Sequence, residues 1–163
     1  MQPSLPILPA WLQITLALVP TVSAVFAAAG LLLNVFQSRR SNKQARATLV
    51  AKFLSDFADD EDMQKIFYDI EYSKFRYDDD FHESESERRL DKLLVHFSNL
   101  ALAWKSGLLK DDDINPVQYY ARRLLRDADV GEYLRFVEVW AADAKLGGHP
   151  YQALKSMGKV LGA

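Results

Sequence analysis

Few residues in this 163-residue chain have types and spacings that can do chemistry. Arg89 and His96 invite an enzymatic reading. Six residues separate them, so at 3.6 residues per turn they share one helix face. Asp78, Asp80, His82, Glu83, Glu85 and Glu87 gather oxygen and imidazole groups as a cation site would. A calcium loop counted from Asp78 needs glycine at its sixth position and a bidentate acid at its twelfth. Glu83 and Arg89 stand there instead, so the stretch reads as a solvated acidic loop and no metal is expected. Asp111–Asp113 reads as an exposed turn. Arg122, Arg123 and Arg126 lie with Tyr119 along one helical face. Nucleic-acid binding asks for more basic surface than this, so pairing with the acidic loops, or plain solvation, is expected. His149, before Pro150, reads as a capping residue. The chain has no Gly-rich phosphate loop, no H-E-x-x-H and no G-x-S-x-G, and no cysteine for disulfides or thiolate sites. No cofactor is expected, and an enzyme is the lesser reading.

The spacing of Arg89 and His96 resembles the signature of the helical HEPN ribonucleases. That resemblance implies that the two side chains act on an RNA phosphodiester, at a site formed in a dimer. It covers only these two residues, and Leu90 follows Arg89 where a polar residue is often seen. A membrane-bound ribonuclease of this type, with Arg89 and His96 catalytic, is the alternative function.

The most idiosyncratic stretch is 67–87, rich in aromatic and acidic residues. Tyr68, Tyr72 and Phe75 share one face of a helix, and Met63, Phe67 and Ile70 share another. Phe81 stands beside the acidic run. Tyr68, Tyr72, Phe75 and Phe81 are the expected partner-binding residues. The competing reading is a helix buried between two neighbours, with phenols reaching the rim.

The elements that position these residues are all helical. Asp59–Asp62 starts a helix reaching about Phe75, with carboxylates at the positive end of its dipole. Ser84 and Glu87 have capping-box spacing before a long helix with Leu90, Leu93, Leu94, Phe97, Leu100, Leu102 and Trp104, ending near Gly107. Asn115 reads as an N-cap with Pro116 at the first helical position. Asp129 and Glu132 repeat the capping spacing before the stripe Tyr133, Phe136, Val137 and Trp140. Gly147-Gly148 ends that helix, and a short one follows His149-Pro150, with Leu154 and Met157 inward. No stretch alternates with period two long enough to be a strand.

The first charged side chain is Arg39, and the stretch 11–37 is longer than the roughly 20 residues a helix needs to cross a bilayer. It reads as one transmembrane helix. A cleaved signal peptide is the rival reading, but the first ten residues lack a positive region and apolar residues resume at Leu31–Leu33. Pro20, Ser23, Ala27, Gly30 and Asn34 fall on one stripe, suited to packing against a second copy or another membrane protein. Arg39, Arg40, Lys43 and Arg46 form a basic collar for lipid headgroups, followed by Lys52. From Phe53 onward the chain has 15 basic and 22 acidic residues. A collar on one side only places the N-terminus outside and the C-terminal part in the cytoplasm.

The expected organisation is an extracytoplasmic tail over 1–10, a transmembrane helix over 11–37, a basic juxtamembrane helix over 38–58 and a cytosolic helical domain over 59–163. The fold class is all-α: one transmembrane helix continuing into a cytosolic bundle of about five helices. The face Leu49, Val50, Phe53, Leu54 and Phe57 needs that bundle to cover it. The run Glu61–Phe75, the segments Phe81-His-Glu-Ser and Leu90-Asp-Lys-Leu-Leu, and His149-Pro-Tyr resemble a family of small bacterial single-span proteins of unknown function. The resemblance implies an inner-membrane location and a helical domain, and it brings no activity. The leading expectation is a membrane-anchored interaction or regulatory module, in stress response or phage defence. Its partners would be the bilayer and a second copy or another membrane protein, not nucleic acid. A third reading makes the first 58 residues a membrane-perturbing effector.

Overall fold

The structure, a computed structural model, describes the backbone of residues 10–145 and 147–163 and the side chains of 34–145 and 147–163. Residues 1–9 of the expected tail lie outside it. So do the side chains of Pro20, Ser23, Ala27 and Gly30. The chain divides into two compact units, Met1–Ala45 and Arg46–Ala163.

In the first unit the described residues belong to helix α1, which spans Ala10–Asp59. Asn34, Arg39, Arg40 and Lys43 are exposed along it. Among the described residues no helix is long and apolar enough to cross a membrane. The expected span rests mainly on side chains outside that description.

The second unit is all-α among its described residues. The end of α1 enters it with Val50, Phe53 and Phe57 buried. Next come α2 (Glu61–Glu71), α3 (Glu85–Lys105), a 3-10 turn over Asp111–Val117, α4 (Gln118–Arg126), α5 (Ala128–Asp143) and α6 (Gln152–Leu161). Helix α3 packs on α2 and α6, and α4 packs on α2, α5 and α6. Leu90, Leu93, Leu94 and Phe97 of α3 are wholly buried, as the 3.6-residue period requires of a central helix. Leu102, Phe136, Trp140 and Leu49 carry on apolar stripes read from the sequence, yet they are exposed.

Local chemistry explains where the elements begin and end. Asp60 caps α2, its carboxylate accepting the Met63 N–H at 3.0 Å. The Ser84 hydroxyl caps α3 through the Glu87 N–H at 3.1 Å, while Glu87 reaches back to the Glu83 N–H at 2.6 Å rather than to Ser84. Three expected boundaries are corrected. Helix α2 stops at Glu71, short of Phe75: Ser73 takes φ +55°, and Arg123 binds the carbonyls of Ile70 and Glu71 at 2.9 and 2.6 Å. The Ile70 carbonyl also accepts the Ser73 N–H at 3.1 Å, and Arg123 of α4 satisfies the Glu71 carbonyl, so the helix need not continue. Asn115 is not the N-cap of α4. Asp113 accepts the Lys110 N–H at 2.9 Å and starts a 3-10 turn that includes Pro116. Helix α5 is capped by Asp127 through the Val130 N–H at 3.1 Å, and Asp129 instead accepts the Tyr77 N–H at 3.1 Å. His149 is not the cap of α6, whose N-cap is Tyr151; its Nδ1 instead accepts the Tyr151 N–H at 2.9 Å in the preceding turn. That fixes the proton on Nε2, which donates to the Leu134 carbonyl at 3.1 Å.

Candidate functional site

Arg89 and His96 share helix α3 but do not meet. Arg89 is half-buried; its Nε donates to Asp62 at 3.1 Å and its terminal nitrogen to Glu85 at 2.6 Å. It joins α3 to the start of α2. The His96 ring stacks on Phe53 of α1, with centroids 4.0 Å apart, and its Nε2 lies 3.1 Å from the Phe53 carbonyl. Burial holds this imidazole below its ordinary pKa, against the Phe53 hydrogen bond and the charges of Asp56 and Asp60. A small cleft of about 210 Å³ opens beside His96, lined by Lys52, Asp56 and Asn99 among others; Arg89 does not line it. Arg89 and His96 of one copy therefore do not converge on a single reacting atom.

The aromatic residues separate into two sets. Phe75 and Phe81 are buried, edge to face at 5.5 Å, and Phe81 also packs on Tyr133 at 5.3 Å. They are core and are corrected out of the partner-binding set, because the early end of α2 turns the chain inward. Tyr68 and Tyr72 stay outside, 52% and 66% exposed, stacked with centroids 6.2 Å apart. Helix α4 adds Tyr119, 57% exposed, whose hydroxyl donates to Glu71. The hydrogen bond to Glu71, then burial and charge, pushes that phenol up. The three tyrosines line a groove of about 530 Å³ with Phe57, Phe67 and Tyr120. Tyr119 stood out in the sequence only as a neighbour of three arginines; nothing local showed that it would join α2.

The three arginines contact backbone more than acid. Arg122 donates to the Leu161 carbonyl at 2.8 Å and Arg126 to the Gly162 carbonyl at 2.6 Å, completing the end of α6. Arg123 completes α2 and lies 3.4 Å from Glu71, the one acidic partner of the set. Arg46 departs from the expected lipid-facing collar: its Nε sits 2.7 Å from Asp113, an ion pair by distance, though off the line of an N–H hydrogen bond.

The acidic loop contributes to a second site that the sequence did not reveal. Among the described residues no group of acids and histidines can hold a metal ion. His82 instead bridges Glu87 at 2.9 Å and the Tyr77 hydroxyl at 3.0 Å. Burial pushes the Glu87 carboxyl up, but hydrogen bonds from His82 and the Glu83 amide outweigh it and hold the group below its usual range. Asp91, one turn further along α3, accepts the Tyr133 and Tyr151 hydroxyls at 2.8 and 3.0 Å on the same oxygen. Burial first, then the neighbouring Asp91, pushes both phenols well above their ordinary value, so they remain donors. Phe136 and Trp140 of α5 complete a pocket of about 470 Å³. Asp91 escaped notice because a lone acid between leucines reads as a solvated helix position.

No protein-family model, curated protein or solved structure matches the chain.

Proposed function

We propose that the chain is a single-pass protein of a bacterial inner membrane, with its N-terminus outside. Its helical unit would work in the cytoplasm as a protein-interaction module with a regulatory role, as stress response or phage defence would require. The uncharged stretch 11–37 and the collar of Arg39, Arg40 and Lys43 support the anchor. The observation that carries the interaction reading is the groove of Tyr68, Tyr72 and Tyr119. Three large amphipathic side chains, each more than half exposed, stand over an apolar floor. Tyrosine is enriched where partners bind because it buries a broad ring and keeps a polar tip. The stripe Ser23, Ala27, Gly30 and Asn34 would pack against a second span. The separation of Arg89 from His96 lends nothing to ribonuclease activity.

Site-specific photo-crosslinking in cells tests this. A photoreactive residue at position 68 should give a discrete adduct that weakens when Tyr72 and Tyr119 become alanine. Recovery of monomer alone, or the same adducts from the Tyr72→Ala/Tyr119→Ala chain, would overturn the reading.

A further inference from the structure

We infer that the pocket between α3 and α5 binds the guanidinium of an arginine side chain on a basic segment of a partner protein. Its residues are distinct from those of the tyrosine groove, and the inference does not depend on that groove.

Charge is the first argument. Glu87 and Asp91 stand one turn apart on α3, and no Lys or Arg lines the pocket with them. Several half-buried acids of the unit pair with cations, among them Asp60 with Lys92, Glu71 with Arg123 and Asp113 with Arg46. Arg88 lines the adjoining cleft with Glu87 and Asp91, but its ion pair is with Glu85. In the pocket Glu87 accepts from His82, the Glu83 N–H and, at 3.4 Å, the Tyr133 hydroxyl, and Asp91 accepts from two phenols; among the described residues no Lys or Arg pairs with either. Both phenols take Oδ1 of Asp91. Among the described residues no hydrogen bond reaches Oδ2. One oxygen of the carboxylate is thus committed to the phenols, and the other has no protein donor among the described residues.

The aromatic lining is the second argument. Phe136 and Trp140 are one turn apart on α5, 41% and 54% exposed, and both line the pocket. An exposed indole lining one pocket with two carboxylates suits a flat cation that stacks on the ring and donates to the acids. A guanidinium does both, because its planar fork matches a carboxylate edge and its faces are weakly hydrated. An ammonium is a compact, strongly hydrated point and uses the ring less well.

The test is NMR of the full-length protein in detergent micelles, following the Trp140 indole N–H. The probes are N-acetyl-arginine amide and N-acetyl-citrulline amide, which has nearly the same shape without the charge. The arginine probe should shift Trp140 saturably, while Trp104, whose indole donates to Asp111, stays put. The citrulline probe should leave both unchanged. Glu87→Gln or Asp91→Asn should weaken the arginine response about tenfold or more. No shift at Trp140, equal shifts from both probes, or undiminished binding in both variants would overturn the assignment. The comparison of probes on the native chain needs no variant to fold.

Discussion

His96 shows how one side chain can look catalytic and be structural. Its ring is committed to Phe53, and burial keeps it neutral near pH 7. Because the folded pKa lies below the unfolded one, the unfolded chain takes up this proton first as pH falls. The stability His96 provides should therefore be complete above about pH 6.5 and decline below it. Chemical denaturation between about pH 7 and pH 5 should show a shallower fall for His96→Gln than for the native chain. Equal slopes would mean that His96 titrates alike in both states. Tyr68 and Tyr72 make the opposite prediction: both are exposed, so alanine at either should move stability by less than about 0.5 kcal/mol in thermal unfolding. A larger loss would mean that they hold the fold.

The ends of the helices give predictions of their own. Arg123→Met strands the Glu71 carbonyl at the end of α2, while Ile70 keeps the Ser73 N–H, and should cost about 1–3 kcal/mol, read as a lower denaturation midpoint. Asp127→Ala removes the cap of α5 and should cost about 1 kcal/mol, read as a lower denaturation midpoint. These sites also mark how far the sequence could be read. The Ser84 cap, the buried leucines of α3 and the stop near Gly107, which takes φ +78°, were legible because each depends on residues within a turn or two. The end of α2 was not legible, since Arg123, some fifty positions away, supplies its partners. Phe75 and Phe81 followed that error onto the wrong surface. The Glu87 and Asp91 pocket was illegible for the same reason: its walls come from α3, α5 and the start of α6, and no local spacing brings Trp140 to Asp91.

For the molecule as a whole, the core should dominate the stability of the second unit. Leu94→Ala opens a cavity at a wholly buried position and should cost about 2–5 kcal/mol. What that folded unit does depends on where it is held. The absence of native cysteine makes the proposed anchor and its orientation open to one clean measurement. Single cysteines are placed by Ser4→Cys and Val160→Cys, then exposed in intact cells to a membrane-impermeant maleimide. The account predicts a membrane-bound protein that labels at position 4 in intact cells and at position 160 only after lysis. Labelling at position 160 from outside, or recovery of the full-length protein from the soluble fraction, would contradict it.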